Sequence, residues 1–222
     1  MKLRAVIFDA DGVLLDSLSS HLRICEDKSL EYGLALKIPD ASRLKTMIRA
    51  GVAISPMVQF FRAVGFPKDL AEAADRDYQA TFMKLYAPRP FSGVGTMLTT
   101  LRTLGLKLGI VTSNVHANVI QGLGPNAAHF DPNSIFAFDT LPEFEKRRAL
   151  ELATNALRVA PAEAIYVGDQ PADWKAAQAN AMRFLGVAYG WGISADDRDF
   201  DVVSTVEGIS AAIERIVTNE PA

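Results

Sequence analysis

The sequence predicts an α/β protein, a doubly wound parallel sheet interrupted near its start by an all-helical insert. Three observations carry that prediction. Short apolar runs alternate with stretches of helical period. Those runs are apolar on both sides, as strands covered on two faces must be. Between about Ser17 and Tyr86 the alternation stops, and only helical patterns separated by turn-formers are found.

The elements follow in order. Leu3–Phe8 reads as the first strand, Leu106–Thr112 as the second and Ile135–Phe138 as a weaker third. Ala164–Val167, Arg183–Ala188 and a short Asp201–Ser204 complete the set. Between them Gly93–Leu104, His116–Leu123, Glu145–Leu157, Ala172–Met182 and Glu207–Val217 have helical period. The insert reads as four helices, Ser20–Tyr32, Ala41–Arg49, Ser55–Val64 and Lys68–Leu85, punctuated by Pro39, Gly51, Gly65 and Pro67. Its tethers are Asp16–Ser19 and Ala87–Gly93, so the expected division is 1–16 with 89–222 as one domain and 17–88 as the other.

Composition narrows the function classes. The chain has 222 residues, 49% hydrophobic and 22% charged, so disorder is excluded. At this length roughly 70% of the unfolded surface can be buried without disulfides or structural metals. Cys25 is the only cysteine and can form no internal bridge. A net charge of −3 with both signs interspersed argues against a nucleic-acid binder or a binder of anionic membranes. The first apolar run ends at Phe8 before Asp9 and Asp11, too short for a signal peptide. No run approaches the roughly 20 residues of a membrane span, so a cytoplasmic protein is expected.

Ligands of open α/β sheets bind beyond the carboxyl ends of the strands. Asp9-Ala10-Asp11-Gly12 follows the first strand, Thr112-Ser113-Asn114 the second, and Gly168-Asp169 the fourth, with Asp173 four residues on. If the strand ran on, Asp9 and Asp11 would share a face and crowd each other, raising one pKa or calling for a cation. Four acids with no His or Cys among them favour a hard cation, Mg²⁺ over Zn²⁺. Any one of them alone could equally be a helix cap or turn residue.

Lys146 stands beside Arg147 and Arg148. It precedes Ala149 and Leu150 by three and four residues, which puts it on the apolar, inward face of its helix. Arg147 shares a face with Glu151 and reads as a surface ion pair. A lysine in a helix's first turn opposes the macrodipole, and a bound anion would offset that. A solvated charge run is the alternative.

These residues resemble a known family. Val-Ile-Phe-Asp9-Ala-Asp11-Gly12-Val-Leu-Leu-Asp16-Ser is similar to the first motif of the haloacid dehalogenase-like hydrolase superfamily. Gly-Ile-Val-Thr112-Ser113-Asn114 resembles its second motif, Lys146 its third, and Tyr-Val-Gly168-Asp169-Gln-Pro-Ala-Asp173 its fourth. The resemblance runs from residue 3 to about 190 and implies a Rossmannoid core. It makes residues 17–88 a helical cap of the phosphoglycolate-phosphatase/β-phosphoglucomutase type. It implies Asp9 as nucleophile, forming an aspartyl-phosphate, and Asp11 as the acid and then the base. Mg²⁺ would be held by Asp9, the Asp11 carbonyl and Asp169, with Asp173 assisting directly or through a water. Thr112 and Lys146 would hold the phosphoryl group, together with amides around Gly12 and Ser113; Asn114 joins them on the substrate side. Position 10 is Ala where the family often has a larger residue, and Lys146 lies in Phe-Glu-Lys-Arg-Arg rather than the common Lys-Pro context.

Within the family an acid at position 11 resembles phosphatases and phosphomutases, whose leaving oxygen must be protonated. The first expectation is hydrolysis of a small phosphorylated metabolite. A phosphomutase is the alternative, and a binding protein without turnover is the third reading. The cap loop reads as Arg49-Ala50-Gly51-Val52-Ala53. Arg49 could meet a second phosphate or a carboxylate, or be a helix-end cation before a capping glycine. His116 reads as a helix-start surface residue, and His21, Trp174 and Trp191 as packing residues.

Overall fold

The computed structural model describes residues 2–54 and 56–219. It divides into two compact units, residues 1–16 with 89–222 and residues 17–88. In chain order, β1 (Ala5–Phe8) leads into α1 (Ser17–Glu31), α2 (Ala41–Arg49), α3 (Met57–Ala63) and α4 (Lys68–Leu85) of the helical unit. The chain then returns through α5 (Val94–Thr103), β2 (Lys107–Val111), α6 (His116–Leu123), β3 (Ile135–Phe136) and α7 (Lys146–Leu157). It closes with β4 (Ala164–Gly168), α8 (Pro171–Ala179), β5 (Arg183–Val187), β6 (Asp201–Val203) and α9 (Val206–Asn219).

The six strands form one sheet in the order β3-β2-β1-β4-β5-β6. Every pairing is parallel; Ala5, for example, lies between Lys107 and Ala164. The apolar runs were two-sided because both faces are covered. Val6, Phe8, Leu108, Ile110, Ile165 and Val167 pack with α5, α6 and α9. Ala5, Ile7, Val111 and Tyr166 point the other way, onto Ala149, Leu150, Ala153 and Leu157 of α7 and Ala176 and Ala177 of α8. The α/β class expected from the sequence is therefore the fold observed.

The element ends move by a few residues, for local reasons. Strand β3 stops at Phe136, because Ala137 donates its N–H to the Thr140 hydroxyl and Phe138 opens a 3₁₀ turn. Helix α8 begins at Pro171, where a missing N–H costs nothing, and Ala181 leaves the helical region at φ +51°. The expected third helix of the insert starts at Met57 rather than residue 55, which lies outside the described residues.

The two segments that flank the insert pair with each other, through the isolated bridge of Leu15 with Pro90. Asp16 donates its N–H to the Arg89 carbonyl at 2.9 Å, and Phe91 donates to Leu14 at 3.0 Å. Within the helical unit, His21 is buried among Phe60, Tyr78 and Phe82, with ring centroids 4.8–5.6 Å away. Its two nitrogens face the Ser17 carbonyl and the Tyr78 hydroxyl, so it packs as expected. Cys25 is free and buried, and burial pushes its thiol pKa up, out of the reactive range. No helix among the described residues is long and apolar enough to cross a membrane.

Candidate active site

In this strand order the chain reverses direction across the sheet between β1 and β4, and the carboxyl ends of those two strands flank the crevice this creates. Asp9 follows β1 and Asp169 follows β4. Both are buried, and so is Asp173 in the first turn of α8. One carboxylate oxygen from each of the three lies within 4.8 Å of the others.

Lys146 bridges two of these acids. Its Nζ donates to Asp9 Oδ2 at 2.8 Å and to Asp173 Oδ1 at 2.6 Å. The apolar stripe of α7 turns it inward, as its spacing from Ala149 and Leu150 predicted. The surface pairing differs from expectation. Arg147 meets Glu145 at 3.3 Å, whereas Arg148 takes Glu151 at 2.7 Å, because i,i+3 brings those two chains together.

Each acid uses its second oxygen differently. Asp9 Oδ1 accepts from the Ala10 N–H at 2.7 Å. Asp173 Oδ2 accepts from the N–H groups of Asp169 and Gln170, at 3.1 and 3.0 Å. One oxygen of Asp173 thus serves the start of α8, and the other faces Lys146. Asp169 Oδ2 accepts from the Trp191 N–H at 2.6 Å, while its Oδ1 is buried with no hydrogen-bond partner among the described residues. A buried, orphaned carboxylate oxygen costs several kcal/mol unless something positive meets it. An all-oxygen donor set with such an atom fits a hard divalent cation, and Asp9, Asp169 and Asp173 are the residues that could hold one.

The electrostatics agree. Burial pushes the Asp9 carboxyl up to about 6, with Asp173 and Asp11 adding to the rise and Lys146 opposing it. Burial, then Asp173 and Asp9, raise Asp169 well above the carboxylate range. Burial acts to lower Lys146, but Asp9, Tyr166 and Asp173 outweigh it and hold the ammonium charged.

Asp11 is placed otherwise than the regular-strand expectation had it. Strand β1 ends at Phe8, so Asp9 and Asp11 do not continue its alternation, and Asp11 raises the Asp9 carboxyl less than Asp173 does. The side chain of Asp11 is not one of the three clustered acids; its Oδ2 accepts from Asn114 Nδ2 at 2.8 Å. Thr112 is buried at the end of β2, and its Oγ1 accepts from the Asn114 N–H at 3.2 Å. Ser113 is exposed. Gly12 sits at φ +76°, a conformation that L side chains rarely adopt. His116 opens α6 and donates its N–H to Asp139, a helix-start role. Arg49 ends α2 in the other unit, followed by Gly51 at φ +87°, whose N–H returns to the Ile48 carbonyl.

One contributor escaped the sequence reading. The sequence reads Trp191 as a packing residue, yet its backbone N–H holds Asp169, and its neighbour Gly190 leaves the space that an added Cβ would take from the same carboxylate. Its signal, a Gly-Trp-Gly run past the fifth strand, gains meaning only once β5 is seen beside β4.

Comparison with known proteins adds a separate line of support. The model of a family described as haloacid dehalogenase-like hydrolase matches residues 6–187. A phosphoglycolate phosphatase of Xylella fastidiosa is 32% identical over 200 residues, covering 85% of this chain and 81% of that protein. An N-acetylmuramic acid 6-phosphate phosphatase of Pseudomonas putida is 28% identical over 203 residues, covering 86% and 85%. Among solved structures, a haloacid dehalogenase-like family hydrolase from Streptococcus pneumoniae shares the fold with a TM-score of 0.70, at 23% identity over 95% of this chain and 98% of that one.

Proposed function

Because the chain belongs to the haloacid dehalogenase-like hydrolases, we propose that it is a Mg²⁺-dependent phosphatase of small phosphate monoesters working through an aspartyl-phosphate on Asp9. The observation that carries this reading is the half-buried Lys146 ammonium laid between the buried carboxylates of Asp9 and Asp173 at the sheet's reversal point. The names of the relatives from Xylella fastidiosa and Pseudomonas putida, both phosphatases, support it.

Asp9 attacks phosphorus with a carboxylate oxygen, and the bond from phosphorus to the ester oxygen breaks. Asp11 gives that oxygen its proton. Water then attacks phosphorus, Asp11 takes the proton from it, and the bond to Asp9 breaks. A carboxylate approaching a phosphate dianion meets several kcal/mol of repulsion even at an effective dielectric near 20. Lys146 lowers that barrier where charge accumulates. Asp9, Asp169 and the Asp11 carbonyl would hold a Mg²⁺, with Asp173 assisting directly or through a water, and the ion would supply further positive charge there. Asn114, fixed to Asp11 Oδ2, orients the acid, and Thr112 with amides near Gly12 and Ser113 binds the phosphoryl oxygens.

We assign residues 17–88 the role of a cap and Arg49 the role of a substrate-side cation. Its support is the position of Arg49 at a helix end, before a left-handed Gly51 and a stretch without regular structure. A phosphorylated metabolite that also carries a second anionic group is the substrate class this assignment favours.

The test is phosphate release from a panel of phosphorylated small molecules, with and without Mg²⁺. Release that requires the metal is expected, and Arg49→Ala should raise KM while leaving kcat within a few-fold. No release from any member by folded, metal-loaded protein sinks the reading. Isomerisation without net release, dependent on a bisphosphate, would replace it with a phosphomutase.

A further inference from the structure

Asp169 is gripped on every side but one. Its carbonyl accepts from the N–H groups of Gly192 and Ile193, at 3.1 and 2.8 Å. Its N–H donates to Asp173, and its Oδ2 receives the Trp191 N–H. Two glycines flatten the walls around its carboxylate. A Cβ on Gly12 would collide with Asp169 Oδ2 and stand 2.5 Å from the Trp191 ring. A Cβ on Gly190 would stand 2.5 Å from the same Oδ2 and 2.6 Å from the Gly12 carbonyl, and closer still to Asp169 Cβ. The loop that carries Gly190 and Trp191 is itself pinned to the first loop. Tyr189 donates its hydroxyl to the Val13 carbonyl at 2.9 Å, and its ring meets Phe91 edge-on at 4.9 Å.

We propose that residues 189–193 form a clamp that makes Asp169 a one-oxygen ligand and thereby selects Mg²⁺ against Ca²⁺; the inference rests on the metal reading above. Oδ2 is committed to an amide and walled in by Gly12 and Gly190, so the carboxylate has no room to rotate and present both oxygens. Only Oδ1, buried and without a hydrogen-bond partner among the described residues, is left to meet a cation. Mg²⁺ requires near-octahedral geometry with short bonds, which one-oxygen carboxylates satisfy. Ca²⁺ takes six to eight ligands and gains from two-oxygen carboxylates, which this clamp denies. Gly190 and the Trp191 amide are positioning groups, acting on the metal through Asp169 alone.

Gly190→Ala is the discriminating variant. Gly190 is not in the left-handed region, so the backbone accepts alanine, and the added methyl acts through its collision with Asp169 and the Gly12 carbonyl. Calorimetric titration of the full chain with MgCl₂ and with CaCl₂, in wild type and variant, reads the preference directly, without turnover. The ratio of Mg²⁺ to Ca²⁺ affinity should fall about tenfold or more in the variant, the size expected for a lost outer partner of a metal ligand. A ratio within twofold of wild type, in a variant that still binds metal, overturns the clamp and leaves the metal reading standing. If wild type binds neither cation, the metal reading itself fails and the clamp with it. Should Gly190→Ala not fold, infrared spectra of wild type labelled with ¹³C-aspartate decide, with Asp169→Asn identifying the band. A one-oxygen splitting of the Asp169 stretches on adding Mg²⁺ is expected, and a two-oxygen splitting overturns the proposal.

Discussion

Asp9→Asn is expected to lower phosphate release by a factor on the order of 10⁴ or more, since an amide cannot serve as the attacking carboxylate. Retention of more than a hundredth of wild-type turnover would remove Asp9 from the nucleophile's role. The same variant carries a second readout in the metal-free protein. Burial places the folded pKa of Asp9 near 6, above its ordinary value of 3.8. The folded protein therefore keeps this proton in a pH range where the unfolded chain has released it. The stability that follows is fully present below about pH 4 and is lost as pH rises through 6, by an amount on the order of 3 kcal/mol. Asparagine has no such proton. In chelator, the stability of Asp9→Asn relative to wild type should rise between pH 4.5 and 7, measured as urea midpoints. A difference independent of pH would mean that the Asp9 carboxyl is not strained by its burial.

Lys146→Met is expected to be the most destabilising change at the site. It strips the counter-ion from Asp9 and Asp173, both buried, and uncompensated buried charge typically costs about 3–5 kcal/mol. The loss should shrink at pH 4.5, where Asp9 is protonated and no longer needs a cation. Turnover should drop by about 10²–10³, the usual consequence of removing one charge-stabilising donor. Lys146→Arg should recover most of the stability but little of the rate, because a planar guanidinium cannot place one nitrogen against both Asp9 and Asp173 as the ammonium does. A Lys146→Met protein that melts like wild type at pH 7 would return this lysine to the solvated charge run from which its helix stripe set it apart.

Much of this site could be read from the chain because its information is local. Asp9 and Asp169 end apolar runs buried on both faces, and the four-residue step from Asp169 to Asp173 spans a strand end and the first turn of the next helix. The inward turn of Lys146 follows from a stripe three and four residues long. What could not be read depends on where a strand stops or on what lies beside it. The crowding of Asp9 and Asp11 assumed a strand running past Phe8. The chain turns instead, with Leu14 and Leu15 both donating N–H to the Ala10 carbonyl, and Asp11 finds Asn114. The Trp191 contact with Asp169 spans 22 positions and exists only because β5 lies next to β4. No spacing rule reports a neighbour of that kind.

The clasp between Leu14–Asp16 and Arg89–Phe91 has a consequence for how such a molecule can change over time. Because the chain leaves and re-enters the sheet unit at one stitched point, residues 17–88 are, topologically, a pendant. The sheet closes behind them whatever their length. Doubling a loop closed in this way adds only about 0.6 kcal/mol of closure entropy. A pendant can therefore be lengthened, trimmed or exchanged for another without reordering a single strand. Whatever it contributes to choosing a substrate is then separable from the acids and the lysine, and selection can rewrite one while holding the other still.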